Sequence, residues 1–111
     1  MIELIVYTFL KNELNVPVFM ERPEMPPEQY VLIEKTGSGV ENHIKSATFA
    51  IQSYADSMFD AASINEEVKE KMLDIIGEKE ITKVSLNTDY NFTDTSTKKY
   101  RYQAVFDLKH Y

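Results

Sequence analysis

The final segment of the chain, residues 100–111, alternates apolar and polar side chains, and this pattern constrains the fold more than any other feature of the sequence. A period of two is typical of a strand whose sheet has one buried and one solvated face. The expected apolar side carries Tyr100, Tyr102, Ala104, Phe106 and Leu108, and the expected polar side carries Arg101, Gln103, Asp107 and Lys109. The sequence therefore predicts a closing strand that is an integral part of the fold.

Upstream, apolar residues at three- and four-residue steps from Ile2 predict a first helix that ends near Asn12. A second helix is expected to begin at Asp56 or Ser57 and to stop at Gly77. The remaining β-rich segments predict strands at 16–20, 30–36, 43–55 and 81–92.

Two connections complete the prediction. Residues 21–28 hold three of the four prolines and predict an extended linker, here called the proline segment. Residues 93–97 predict a hairpin turn before the closing strand. The order α-β-β-β-α-β-β predicts an α+β fold, with a mostly antiparallel sheet of about five strands and two helices packed on one face. At 111 residues, the expectation is a single domain, 1–111.

Composition excludes several kinds of site. The chain has no cysteine, which rules out disulfides, thiolate zinc sites and cysteine nucleophiles. Its formal net charge of −6 disfavours nucleic-acid binding through a basic surface.

Residues 1–14 are apolar only at helical intervals and include Glu3, Lys11 and Glu13, a pattern unlike that of a signal peptide or a membrane span. A cytoplasmic location is therefore the expectation.

No catalytic motif emerges from the spacing of reactive side chains. His43 and His110 have no neighbour in sequence at metal-ligand or general-base spacing and are expected at the surface. The run Gly37-Ser38-Gly39 lacks the lysine and the helix of a phosphate-binding loop and predicts a flexible turn that extends to Asn42. The sequence therefore predicts a protein that is not an enzyme, with no catalytic residue, cofactor or metal.

Six segments in this order resemble small proteins encoded among the head–tail genes of long-tailed bacteriophages and prophages of Gram-positive bacteria, namely the tail terminators, also called tail-completion or tail-to-head joining proteins. The segments are Val16–Val18, Tyr30–Gly37, Ala47–Tyr54, Asn65–Lys69, Tyr90–Asp94 and Tyr100–Phe106. The resemblance covers nearly the whole chain.

The resemblance implies a structural protein of virion assembly. Its subunits would form a hexameric ring that caps the tail tube and docks the head connector, and DNA would pass through the lumen without specific binding. The implied location is the bacterial host cytoplasm during assembly and then the head–tail junction of the virion. An acidic lumen would avoid sticking to phosphates, with Glu24, Glu28, Asp89 and Asp94 as candidate lining residues; general solubility explains the same charge.

Loops and the polar side of the closing strand are the expected oligomer interface. The candidate residues are Glu24, Glu28, Gly37, Ser38, Gly39, Tyr90, Phe92, Thr93, Asp94 and Arg101. Three alternatives stay open. A head-completion or minor capsid protein would come from the same gene cluster, a small-molecule or peptide-binding module would need a deep apolar cavity, and an enzyme would need a pocket that joins His43 or His110 to carboxylates.

Overall fold

The computed structural model describes residues 1–97 and 99–111 and confirms the predicted α+β fold and the predicted order of elements. The elements are α1 (Ile2–Glu13), β1 (Val18–Phe19), β2 (Tyr30–Glu41), β3 (Ile44–Ala55), α2 (Met58–Asp74), β4 (Ile81–Asn91) and β5 (Tyr100–His110). A 3₁₀ turn over Ile75–Gly77 follows α2. The proline segment contains neither helix nor strand.

The strands form one sheet in the order β1-β2-β3-β5-β4, in which β1 is parallel to β2 and all other neighbours are antiparallel. Among the described residues, β1 pairs only with Val31 and Leu32 of β2. The outer backbone of β2 from Ile33 to Glu41 is therefore a free edge, and β4 forms the opposite edge of the sheet.

A continuous apolar core joins both helices to one face of the sheet. Val6 and Leu10 of α1 are fully buried, as are Val68 and Met72 of α2 and Phe106 at the centre of β5. Ser57 caps α2 as expected, because its hydroxyl accepts a 3.1 Å hydrogen bond from the backbone N–H of Asp60. The spacing of apolar residues along each helix thus predicted the buried stripe correctly.

The flexible turn predicted at Gly37-Ser38-Gly39 is wrong, because these residues belong to β2 and pair with Ala47 and its neighbours in β3. The chain reverses later, at Asn42 and His43, whose φ angles of 50° and 67° are those of a tight hairpin turn. A bulge between Lys35 and Gly37 shifts the register of the pair. A residue larger than glycine would be crowded at position 39, since a Cβ there would approach Ser46 Oγ to 3.1 Å.

Among the residues that the structure describes, neither helix is both long enough and apolar enough to cross a membrane.

Candidate assembly surface

Polar and aromatic side chains from four strands form a cluster on the sheet face that the helices leave uncovered. The polar-aromatic cluster comprises Tyr30, Gln52, Tyr54, Tyr90, Phe92, Arg101 and Gln103. The period-two pattern predicted that this face of the sheet is solvated. That prediction is wrong for much of the cluster. Gln52, Tyr54 and Gln103 are only 8%, 5% and 9% exposed, because their side chains cover one another.

A chain of hydrogen bonds links the strands within the cluster. The Tyr54 hydroxyl donates to Gln52 Oε1 at 3.0 Å, and Gln52 Nε2 donates to Gln103 Oε1 at 2.8 Å. Gln103 Nε2 in turn donates to the Tyr90 hydroxyl on β4. Buried amides of this kind stabilise a fold only when their donors and acceptors are paired, and this chain of bonds pairs them across four residues.

Aromatic stacking extends the cluster towards the β1 edge. The rings of Tyr30 and Tyr54, which are register partners on β2 and β3, stack with centroids 4.5 Å apart and an interplanar angle of 4°. Phe19 of β1 packs edge-on against Tyr30. The Tyr30 hydroxyl is buried and has no hydrogen-bond partner among the described residues. Burial raises the pKa of this phenol above its ordinary value, and the Tyr54 phenol adds to the effect.

Arg101 connects the cluster to the end of β4 through hydrogen bonds and through cation–π contact of its planar guanidinium group. Its Nε donates to the Phe92 carbonyl at 2.6 Å, and its Nη1 donates to the Tyr54 hydroxyl at 3.0 Å. The guanidinium carbon lies 4.2 Å from the centre of the Phe92 ring. It also lies 5.8 Å from the centre of the Tyr54 ring. Two hydrogen bonds and two cation–π contacts therefore hold the side chain in a defined orientation.

The turn predicted at Thr93–Thr97 is confirmed over the described residues, and Asp94 organises it. The hydroxyl and the backbone N–H of Ser96 donate to Asp94 Oδ1 at 2.7 and 3.0 Å, and these bonds lower the pKa of the Asp94 carboxyl. Thr93 Oγ1 accepts from the backbone N–H of Arg101 at 3.2 Å. The turn is thus tied to the start of β5 beside the guanidinium.

The structure brings together half of the predicted interface residues and separates the others. Tyr90, Phe92, Thr93, Asp94 and Arg101 lie at one end of the sheet, where β4 ends and β5 begins. The predicted glycine run, Gly37–Gly39, lies towards the other end of the sheet, because Ser38 and Leu108 are both register partners of Ala47. Seven residues of extended strand separate Arg101 from Leu108, a distance of about 24 Å. Glu24 and Glu28 are exposed in the proline segment.

Asp89, a candidate for the lumen wall, faces α2 instead. Its Oδ1 accepts hydrogen bonds from Asn65 Nδ2 and Lys69 Nζ, both at 3.2 Å. Lys69 also pairs with Glu66 at 2.9 Å, and these two carboxylates raise the pKa of the Lys69 ammonium, with Glu66 as the larger cause. Asp89 therefore joins α2 to β4, and Lys69 compensates its charge.

A surface cleft of about 690 Å³ lies between the start of α1 and the far end of the sheet, and its lining includes His110 together with Glu3 and Glu80. The prediction of a surface histidine is wrong for His110, which is 8% exposed, because the alternation of β5 continues and directs it inward. Its Nδ1 lies 3.0 Å from the main-chain oxygen of Tyr111, and Glu3 pairs with Lys35 at 3.0 Å. Among the described residues, neither carboxylate forms a hydrogen bond with His110, so the cleft holds no assembled acid–base pair.

Gln52 and Tyr54 were missed as functional candidates, although one signal was present in the sequence. Arg22 of the proline segment, which lines a small pocket beside Tyr54 and Arg101, was missed as well. Aromatic residues such as Tyr54 occupy positions that the alternation assigns to the solvated side, and such a surplus indicates a second packing surface. Pairing across strands was needed to show which of these side chains meet.

In comparisons with known proteins, no family model and no curated protein matches the chain.

Proposed function

We propose that the chain is the subunit of a homo-oligomeric ring at the head–tail junction of a long-tailed phage, a tail terminator that caps the tail tube and docks the head connector. The observation that carries the proposal is the pair of free sheet edges, β2 from Ile33 to Glu41 and β4 from Ile81 to Asn91, on opposite sides of one sheet. A ring requires two different, complementary surfaces on each subunit.

The direction of the two edge strands supports a repeating contact. From β2 to β4, the three antiparallel steps of the sheet leave β4 running opposite to β2. When two copies stand side by side in the same orientation, β4 of one copy meets β2 of the next as an antiparallel neighbour. Antiparallel pairing satisfies the unpaired backbone groups of both edges. A small rotation at each contact closes such a series into a ring.

Each edge also exposes apolar side chains that a neighbour would cover. Val40 on β2 is 71% exposed and Leu86 on β4 is 40% exposed. Exposed apolar residues on an unpaired strand favour association with another chain. The net charge of −6 suits a ring through which DNA passes without being bound. The proposed locations are the host cytoplasm during assembly and the head–tail junction of the virion.

The test combines native mass spectrometry of the chain with electron microscopy of the chain mixed with purified tail tubes. We expect a ring of six subunits at one end of each tube. Val40→Lys and Leu86→Lys place a charge on each edge and should prevent ring closure. Phe59→Lys is the matched control, because Phe59 is a 79% exposed apolar residue on α2 and not on an edge strand. Failure of the wild-type chain to associate with tubes, or equal assembly by all variants, would contradict the proposal.

A further inference from the structure

A small pocket beside the polar-aromatic cluster gathers positive charge on a chain that is acidic overall. Its volume is about 60 Å³, and it is lined by Arg22, Tyr54, Asp94, Thr97, Lys99 and Arg101. We propose that this pocket, the cationic socket, binds a carboxylate group presented by a protein partner. The proposal deepens the proposed function and rests on it for the identity of the partner, because it names the chemistry that a neighbouring subunit or tail protein presents to this face.

The positive charge of the socket is only partly compensated from within, because Asp94 is the one carboxylate beside Arg22, Lys99 and Arg101. Arg22, Lys99 and Arg101 form no ion pair with any carboxylate among the described residues. Asp94 is the one acidic residue in the lining, and both of its hydrogen bonds from Ser96 are made by the same oxygen, Oδ1. The socket therefore holds three positive side chains and one carboxylate, and the excess positive charge attracts an anion.

Arg101 is held ready for such a ligand. Its Nε and Nη1 contacts and the Phe92 ring fix the guanidinium plane, so little side-chain freedom remains to be lost on binding. A guanidinium carries five N–H donors. Among the described residues, Arg101 uses only two of them, and the Nη2 group has no acceptor. Three N–H donors therefore remain, one on Nη1 and two on Nη2, and a planar carboxylate is held by two such donors on neighbouring nitrogens.

Two buried phenols lie beside the guanidinium. Tyr54, which is 5% exposed, lines the socket and accepts from Arg101 through its hydroxyl. Tyr30 stacks on Tyr54, and its buried hydroxyl lacks a partner among the described residues. The charges of Arg22 and Arg101 both act on the Tyr30 phenol. Tyr54 is therefore the phenol that lines the socket, and Tyr30 supports it by stacking.

The size and the surroundings of the socket favour a carboxylate over nucleic acid. A volume of about 60 Å³ admits a small anionic group but no base or sugar. The net charge of −6 disfavours the approach of a polyanionic strand. An isolated carboxylate on a protein surface meets less repulsion, and the 18 acidic residues of a second copy are one source of it.

The test is a titration of the isolated ¹⁵N-labelled chain, followed by NMR at the Arg101 Nε–H signal. The probes are acetate and inorganic phosphate, added at constant ionic strength. The socket variant is Arg22→Gln/Lys99→Gln, which leaves the Arg101 contacts intact. Its matched control is Lys45→Gln/Lys109→Gln, which removes the same charge from two exposed lysines at the other end of the sheet.

We expect acetate to shift the Arg101 signal saturably in the wild type and in the control. In the socket variant, the loss of charge-assisted contacts should weaken binding by about tenfold or more. An unshifted signal, equal affinity in both double variants, or tighter binding of phosphate than of acetate would overturn the proposal. A shift that also develops with increasing concentration of the chain itself would assign the carboxylate to a second copy. A shift that develops with acetate but not with increasing concentration of the chain would exclude a second copy of the free chain as the source.

The proposed socket and the proposed ring are tested by separate experiments. Assembly on tail tubes without acetate binding would overturn only the socket. Acetate binding without association with tubes would overturn only the ring.

Discussion

Gln52 on β3 and Gln103 on β5 are register partners whose side-chain amides form a 2.8 Å hydrogen bond on the sheet face opposite the helices. Both residues are less than a tenth exposed. The bond lies at the centre of the polar-aromatic cluster, with Tyr54 on one side and Tyr90 on the other. This face of the sheet is therefore packed by its own side chains, in addition to the apolar core on the helix side.

Gln103→Ala should lower the free energy of unfolding by about 1–3 kcal/mol, because it leaves the Gln52 amide and the Tyr90 hydroxyl without their partner. Urea denaturation followed by circular dichroism measures the change. Gln29→Ala, at an exposed position between the proline segment and β2, is the control and should stay within about 0.5 kcal/mol of the wild type. The double variant Gln52→Leu/Gln103→Leu should also be less stable than the wild type, because the Tyr54 and Tyr90 hydroxyls lose their amide partners. Equal stability of Gln103→Ala and Gln29→Ala would contradict a structural role for the bond.

Tyr30→Phe should leave the free energy of unfolding unchanged at neutral pH or raise it by up to about 1 kcal/mol, because the hydroxyl that it removes is buried without a partner among the described residues. Its effect should depend on pH. The raised pKa of Tyr30 means that the contribution to stability is complete below the ordinary phenol pKa of 10.0 and is lost as the pH rises through the higher folded-state value.

The wild type should therefore lose stability above pH 10, and Tyr30→Phe should lose less. Urea denaturation at pH 8 and pH 11 measures this difference, and absorbance at 295 nm follows the phenolate directly. Tyr111→Phe serves as the control, because Tyr111 is 71% exposed. A parallel loss of stability in Tyr30→Phe and in the wild type would show that this phenol does not carry the pH dependence.

The elements were predictable from the sequence because their periodicity is local. Steps of three and four residues placed Val6 and Leu10 on the buried stripe of α1, and alternation placed Phe106 in the core. The glycine run was misassigned for a related reason. Glycine is common in turns, but pairing with β3 keeps Gly37 and Gly39 extended, and neither has a positive φ. Long-range pairing overrode the local preference.

The polar-aromatic cluster was not predictable, because alternation tells which residues share a face and not how deeply they are buried. Tyr30, Tyr54 and Arg101 come from three strands that are far apart in sequence, and the register of the sheet alone brings them together. Arg101 was a candidate for the interface from the polarity of its strand. Arg22 and Lys99 lie beside it only in the folded chain, which brings the proline segment next to the start of β5.

His43→Gly should raise the free energy of unfolding by up to about 1 kcal/mol. The hairpin turn places both Asn42 and His43 at positive φ, where glycine has no steric cost and histidine does. His43→Val should lower stability, since a β-branched side chain is disfavoured there. Thermal unfolding of the two variants measures the difference. Equal midpoints for glycine and valine would indicate that the turn relaxes to another conformation.

Deletion of residues 108–111 should abolish folding before it affects any assembly. Leu108 is 1% exposed in the core, and truncation of such a residue to alanine alone costs about 2–5 kcal/mol, against a total of about 5–15 kcal/mol for a small domain. The deletion also removes His110, which pairs with both Lys45 and Ile81 and so ties β5 to β3 and β4.

The measurement is the cooperativity of thermal unfolding by circular dichroism, with deletion of Tyr111 alone as the control. Tyr111 is largely exposed, and its backbone N–H donates one 3.0 Å hydrogen bond to the Glu80 carbonyl, so its loss should lower stability only slightly. Leu108→Ala should fall between the two deletions, because it creates a cavity but keeps the strand pairing. A chain that lacks residues 108–111 and still unfolds cooperatively near the wild-type temperature would show that β5 contributes little to the core beyond Phe106.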